Sequence, residues 1–255
     1  HSLGGILGNG YGTFVRCINK GDITFGTAKG TNYRRTGGII GCVGANDDAI
    51  DFQRTLSMSD CRNEGDLAAS TASLGGIIGI AEKIDTTAVI ENCENKGHIS
   101  SPSMADYDVY YFGGIAGKVN GAFTLRNCVN RGNLTAAVER DIAGIAVSGG
   151  YDAVFENCEN YGNITVAPNH KPNEGDRWRP CVAGIVAIEN DVATTITNCT
   201  SDCVIDATVY RATSIDKVYV FQKTWENGTE DTKTVCDEAS KSNSAGTTIN
   251  ITTRE

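Results

Sequence analysis

The chain has 255 residues, a formal net charge of −9 at pH 7, 30 Gly and only 4 Pro. The acidic balance argues against nucleic-acid binding, which needs clustered Lys and Arg, and the scarcity of Pro excludes a Pro-rich disordered chain. No stretch approaches the roughly 18 apolar residues that a membrane-spanning helix requires, so we expect no membrane insertion of this chain.

Two short phrases alternate along the sequence from its first residues. Gly-Gly-Ile-x-Gly occupies 4–8, 37–41, 75–79 and 113–117 and persists in reduced form at 143–145 and 183–185. Cys-x-Asn-x-Gly-x-Ile/Leu begins at Cys17, Cys61, Cys93, Cys128 and Cys158, with a degenerate sixth copy at Cys199. Repetition of this kind indicates one structural unit stacked on itself.

The repeated unit favours strands over helices. Side chains after each Cys follow a period of two, and the many Gly residues would each cost about 1 kcal/mol in a helix. We therefore predict an all-β fold, a single right-handed parallel β-helix of about six coils with three short strands per turn. The repeats span 1–205, and 206–255 form a C-terminal capping segment of the same domain.

The residues around each Cys predict the shape of the coil. The position three residues before each Cys is apolar, as at Phe14 and Ile90, which predicts a bend between that residue and the Cys. The Asn and Gly that follow suit a tight corner, because both tolerate left-handed backbone angles. Stacked Asn side chains can also form hydrogen bonds from coil to coil.

Six of the ten Cys occupy one position of the repeat. Equivalent residues in neighbouring coils lie about 4.8 Å apart, more than the Cβ–Cβ distance of about 3.8 Å that a disulfide prefers. We therefore predict a column of buried free thiols, with no metal site and no cofactor. Whether Cys42, Cys181, Cys203 or Cys236 form disulfides stays open, and one bridge at the cap is possible for Cys203 and Cys236.

The paired phrases resemble those of GLUG-type repeat proteins of bacterial surfaces, which are common in gut Bacteroidetes and also form the repeat region of IgA1-specific metalloproteases. The resemblance covers residues 4 to about 205. It implies a secreted or cell-surface β-helix, often adhesin-like. It does not extend to protease activity, because His1, His98 and His170 lie in no HExxH pattern.

The segments between the phrases vary in length and carry residue types that are common in binding sites. The candidate ligand-binding residues are Tyr33, Arg35, Tyr107, Tyr110, Tyr111, Arg177, Trp178 and Arg179. Tyr, Trp and Arg are enriched at binding hot spots, and aromatic rings can stack on sugars. The same side chains could instead pack each segment onto the β-helix.

These observations predict a non-enzymatic secreted or cell-surface module, adhesin-like, that binds a host protein or glycan through segments on one face. Two alternatives stay open. One is a carbohydrate-active β-helix enzyme, a lyase or hydrolase, which would need paired carboxylates such as Asp47, Asp48, Asp51, Asp106 or Asp108. The other is a passive spacer that holds further domains away from the cell.

Overall fold

The computed structural model describes residues 2–25, 34–44, 55–69, 73–82, 84, 88–102, 111–137, 141–149, 152–167, 181–188, 193–209, 218–219 and 234–253. Their strands form five parallel sheets, named here A to E in the order in which each coil passes through them. Each of the first six coils contributes one strand to every sheet. The prediction of an all-β parallel β-helix is therefore confirmed.

Sheets A and B flank the glycine phrase. Sheet A contains Ser2–Gly4, Arg35–Gly37, Ser73–Gly75, Tyr111–Gly113, Asp141–Ala143, Val182–Ala183 and Val218–Tyr219. Sheet B contains Leu7–Asn9, Ile40–Val43, Ile78–Ala81, Ala116–Val119, Ala146–Ser148 and Val186–Ile188. The two residues between them form a turn in every coil, so each glycine phrase makes a strand, a turn and a second strand.

Sheets C, D and E surround the cysteine phrase. Sheet C contains Gly12–Val15, Leu56–Ser59, Ala88–Glu91, Phe123–Arg126, Ala153–Glu156, Thr194–Thr197 and Thr234–Cys236. Sheet D contains Ile18–Asn19, Arg62–Asn63, Glu94–Asn95, Val129–Asn130, Glu159–Asn160 and Thr200–Ser201. Sheet E contains Ile23–Phe25, Leu67–Ala69, Ile99–Ser101, Leu134–Ala136, Ile164–Val166, Val204–Val209 and Thr248–Thr253. A full coil thus has five strands, and the prediction of three per turn was wrong.

In each coil the glycine turn joins a strand of sheet A to a strand of sheet B, and we call this pair of packed layers the inner hairpin. It is covered on both faces. Every residue of Ile78–Ala81 is buried, whereas Ala88–Glu91 in sheet C alternates between buried and half-buried. The two inner sheets approach closely at their glycines, because a Cβ on Gly79 would lie 2.8 Å from the backbone N and O of Thr36. Only glycine permits this contact between the sheets.

Sheets C, D and E form an outer wrap around that hairpin. Sheet B packs against sheet C through side chains such as Ile78 and Phe123, and sheet A packs against sheet E through Leu74 and Leu67. Sheet D lies across the turn of the hairpin, where a Cβ on Gly38 would meet Asn63 Cγ at 2.5 Å. The cross-section of a coil is therefore a hairpin inserted between the two arms of a U. Burial of each large apolar side chain in these layers stabilises the fold by about 1.5–3 kcal/mol.

The corner between sheets C and D contains the bend predicted from the apolar residue before each Cys. The residue immediately before the Cys has a left-handed backbone, with φ near 53° at Asn92 and Asn127. The expectation that the Asn and Gly after the Cys would supply this conformation was wrong. The Asn lies in a strand of sheet D, and the Gly is needed for close approach, since a Cβ on Gly97 would lie 1.9 Å from the carbonyl oxygen of Gly65.

The Asn residues of the cysteine phrase form an inner asparagine ladder, consisting of Asn19, Asn63, Asn95, Asn130 and Asn160. The Nδ2 of each of the first four donates to Oδ1 of the next Asn, at 2.8, 2.9, 2.8 and 2.8 Å in turn, and Asn160 Nδ2 donates to Cys203 Sγ at 3.4 Å. The same Nδ2 groups also donate to the carbonyl of the corner glycine, as from Asn95 to Gly97 at 3.0 Å. The expected ladder of stacked Asn side chains is confirmed.

The cysteine column lies in the core between sheets B and C. Its thiols are free, and all but the half-buried Cys17 are buried. They donate to backbone carbonyls of the preceding coil, as from Cys61 Sγ to Phe14 O at 3.6 Å. Cys42, Cys181 and Cys203 form no disulfide either, and the side chain of Cys236 lies outside the described part of the chain.

A helix closes the C-terminal end of the stack. Strands of sheets A, C and E continue into a seventh layer, while helix α1, Glu238–Asn243, lies beside the last strand of sheet D. Asp237 caps α1 by accepting from the N–H of Ser240 at 2.9 Å. The hydroxyl oxygens of Ser240 and Ser244 accept from the N–H groups of Cys199 and Ser201, both at 2.8 Å.

Candidate functional site

Variation in length is confined to two corners of the coil. The turns between sheets A and B, between C and D and between D and E keep one length in all six coils. The connections from sheet E to sheet A occupy 26–34, 70–72, 102–110, 137–140, 167–181 and 210–217. Those from sheet B to sheet C occupy 10–11, 44–55, 82–87, 120–122, 149–152 and 189–193. The sequence analysis followed the first set and did not recognise the second as a group.

Both variable corners lie at the same edge of the solenoid, at the open end of the U. The strand of sheet A begins there and the strand of sheet B ends there, because the two are joined at their other ends by the glycine turn. Arg35 follows the first variable connection and Glu82 opens a connection between sheets B and C. Their side chains form an ion pair of 3.1 Å, which links the two corners directly. We call this edge of the molecule the variable edge.

Arg35 and Tyr111, the two candidate ligand-binding residues that the structure describes, occupy one row of sheet A. Each is in register with Ser73, on the strand between them, so they are separated by two strand spacings, about 9.6 Å. Tyr111 packs beneath Lys118 of sheet B, whose Nζ lies 3.9 Å from the ring centroid. Both candidates therefore contact charged residues between the inner sheets rather than projecting singly into solvent.

The other candidates, Tyr33, Tyr107, Tyr110, Arg177, Trp178 and Arg179, lie outside the described residues. The same holds for the loop acids Asp47, Asp48, Asp51, Asp106 and Asp108. In the sequence, all of them fall between a strand of sheet E and one of sheet A, or between a strand of sheet B and one of sheet C.

Two further charged residues lie at this edge, and one of them, Lys118, was not found from the sequence. Lys118 is only 9% exposed and stands in a row of sheet B whose other members are Asn9, Cys42, Ile80, Val147 and Ala187. A single Lys at the position occupied by apolar residues in neighbouring repeats was the available signal. Arg34 is 6% exposed, and its guanidinium carbon lies 5.2 Å from the centroid of the Phe25 ring. Such cation–π contacts contribute about 0.5–2 kcal/mol.

The cysteine column has the properties of a structural core rather than of a nucleophilic site. From Cys61 to Cys199 the thiols of the column are fully buried, and they donate to backbone carbonyls, as from Cys128 Sγ to Ile90 O at 3.5 Å. A thiol that is shielded from solvent reacts slowly. Among the described residues there is no group of three or more His, Cys, Asp or Glu side chains arranged to hold a metal ion.

The described part of the chain also contains no helix with the length and apolar character needed to cross a membrane. Comparison with known proteins gives no family: no family model, no curated protein and no solved structure matches the chain. The function is therefore argued from the variable edge itself.

Proposed function

We propose that the protein is a non-enzymatic binding module that uses its β-helix as a scaffold and recognises a host protein or glycan through the variable edge. The observation that carries the proposal is the restriction of length variation to two corners that meet at this edge. In stacked-repeat proteins, insertions on one face often carry the binding surface, while the repeated residues maintain the stack.

The residue types in the variable connections fit this role. Tyr and Arg recur there, and Trp178 lies in the longest connection between sheets E and A. Aromatic rings bury a large apolar area and offer flat faces for stacking, and Tyr, Trp and Arg are enriched at the hot spots of protein interfaces. The likeness of the phrases to GLUG-type repeats supports a secreted or cell-surface location, which forms part of the proposal.

The experiment is an exchange of connections. Residues 168–180 are replaced by 138–140, which link the same two sheets one coil earlier, so the anchoring strands are kept. Binding is screened on a glycan array and on a panel of extracellular host proteins. We expect the exchange to weaken the strongest interaction at least tenfold while the melting temperature and circular dichroism change little.

Matched single substitutions locate the surface. Trp178→Ala should reproduce most of the loss, and Tyr161→Ala should leave binding unchanged. Tyr161 is an exposed aromatic on the invariant side of the coil, with its hydroxyl donating to Glu159 at 3.0 Å. Equal binding by the exchanged and parent proteins would refute the proposal. Release of reducing or unsaturated sugar ends from any bound glycan would favour the carbohydrate-active alternative instead.

A further inference from the structure

One connection between sheets B and C contains an Asn-Gly pair whose peptide group makes no hydrogen bond to the described residues. The pair is Asn120–Gly121, in the fourth coil at the variable edge. The groups on either side of it are fixed. The Asn120 N–H donates to Ala81 O at 2.8 Å, and Ala122 O accepts from Ala88 N at 3.1 Å. Within the described part of the chain, Asn120 O, Gly121 N and the Asn120 side chain have no hydrogen-bond partner.

The backbone at this pair is open to reaction. Gly121 has a φ of 119°, and a Cβ placed on it would meet no atom closer than Phe123 Cε2 at 3.7 Å. Without a Cβ, the Gly121 nitrogen can approach the preceding side chain freely. Asn120 and Gly121 are both half-buried, so water reaches them. A nitrogen and a carbonyl carbon held this close in one chain react far faster than the same groups on separate molecules.

We propose that Asn120 is a site of spontaneous deamidation, with water as the co-reactant. The Gly121 nitrogen loses its proton and attacks Asn120 Cγ, and the new C–N bond closes a succinimide ring. The side-chain nitrogen of Asn120 leaves as ammonia, which carries away that proton. Water then opens the ring at either of its carbonyls, giving aspartate or isoaspartate. One amide is thus hydrolysed to one carboxylate, with no oxidant or reductant.

The product differs from the parent in charge and in backbone. A carboxylate at position 120 makes the variable edge more negative as the protein ages. The isoaspartate product also carries the main chain through the former side chain, which adds a methylene to the turn. That methylene falls between two fixed points, the Asn120 N–H on Ala81 O and the fully buried Phe123.

A second Asn-Gly pair, Asn9–Gly10, provides a comparison within the same chain. Asn9 ends a strand of sheet B, and the Gly10 N–H donates to Cys42 O at 3.2 Å. Asn9 is nevertheless exposed, whereas Asn120 is half-buried. Exposure alone therefore predicts faster conversion at Asn9. A nitrogen without a hydrogen bond predicts faster conversion at Asn120.

The experiment incubates the intact chain in mildly alkaline buffer and follows both sites by peptide mapping, with synthetic aspartate and isoaspartate peptides as standards. We expect Asn120 to convert at least about tenfold faster than Asn9, because the strand that ends at Asn9 must open locally before the Gly10 nitrogen is released. Incubation in urea is the control, since it removes the fold and should make the two rates similar. Isoaspartate should be present at position 120, because direct hydrolysis of the side-chain amide gives only aspartate.

Asn120→Gln is the matched variant. Its longer side chain would have to close a larger ring, so conversion at position 120 should fall at least about tenfold while conversion at Asn9 stays the same. The circular dichroism spectrum should be unchanged, since the Asn120 side chain has no hydrogen-bond partner among the described residues. Conversion of Asn9 as fast as that of Asn120 in the folded chain would overturn the proposal. A product at position 120 that contains only aspartate would overturn it as well.

Discussion

Two rows of asparagine run along this molecule with the same chemistry and different surroundings. The inner asparagine ladder is buried against the turn of the inner hairpin. The outer asparagine ladder, Asn92, Asn127, Asn157 and Asn198, lies in solvent at the corner between sheets C and D, and extends to Asp60 and Asn243 at its ends. Amide-to-amide distances are similar, at 2.8 Å from Asn95 to Asn130 and 3.0 Å from Asn127 to Asn92.

Comparing the two ladders distinguishes three contributions to stability: hydrogen bonding, burial and backbone conformation. A buried donor or acceptor that loses its partner costs about 1–3 kcal/mol, whereas an exposed one exchanges its partner for water. We therefore expect the inner ladder to hold the coils together through its hydrogen bonds. The outer ladder should matter through its left-handed backbone, which Asn tolerates better than most residues.

The largest effect is expected at the corner glycine on which the inner ladder rests. Gly97→Val should lower the free energy of unfolding by at least about 3 kcal/mol, because its Cβ would lie 1.9 Å from Gly65 O and 3.0 Å from Asn63 Nδ2. Urea denaturation followed by circular dichroism measures the loss. Gly21→Val is the control, because a Cβ on Gly21 would meet no atom closer than Asn19 Oδ1 at 3.9 Å. Equal losses in the two variants would contradict the crowding explanation.

The inner ladder itself is tested by Asn95→Ala. Asn95 is fully buried, and its removal takes away the donors to Gly97 O and Asn130 Oδ1 and the acceptor of Asn63 Nδ2. We expect a loss of about 2–4 kcal/mol, measured by the same denaturation. If the free energy of unfolding fell by less than about 1 kcal/mol, the hydrogen bonds of the inner ladder would make little contribution to stability.

The sequence was sufficient for the stack, the cysteine column and the inner ladder, because each of these repeats at a fixed offset. It was insufficient for the inner hairpin. Every residue of strands such as Ile78–Ala81 is buried. These strands therefore lack the alternation of apolar and polar residues by which a strand is recognised in a sequence. The left-handed corner was also missed, although Asn92, Asn127, Asn157 and Asn198 recur immediately before the Cys and supply the signal.

Part of the candidate site was predictable because positions at a fixed offset from a repeated phrase stack in one row. Arg35 and Tyr111 share an offset from the glycine phrase, which places them in one row of sheet A. Their contacts with Glu82 and Lys118 depend on sheet B folding back onto sheet A. That arrangement follows from the packing of glycines between the two sheets, and no local pattern in the sequence encodes it.

Substitutions in the outer ladder should change stability through the left-handed backbone more than through the hydrogen bonds between side chains. Asn127→Ala is expected to cost about 1 kcal/mol, because Ala is strained at a φ of 53°, while Asn127→Gly should stay within about 0.5 kcal/mol of the parent. Thermal unfolding of the two variants distinguishes the causes. If the hydrogen bonds to Asn92 and from Asn157 were the main contribution, the glycine variant would be destabilised as much as the alanine variant.

The smallest effect concerns a third row, at the corner between sheets D and E, where each side chain accepts the backbone N–H of the next coil. His98 Nδ1 accepts from Asn133 N at 3.2 Å, and Asn133 Oδ1 accepts from Asn163 N at 3.0 Å. His98→Asn should change stability by less than about 0.5 kcal/mol at neutral pH, since an amide oxygen can accept the same bond. His98→Ala, which removes the acceptor, should instead cost about 0.5–1 kcal/mol, and Asn133→Ala makes the matched change at the next position of the row. Urea denaturation measures both losses, and equal stability of the alanine and asparagine variants of His98 would show that this bond does not contribute to folding.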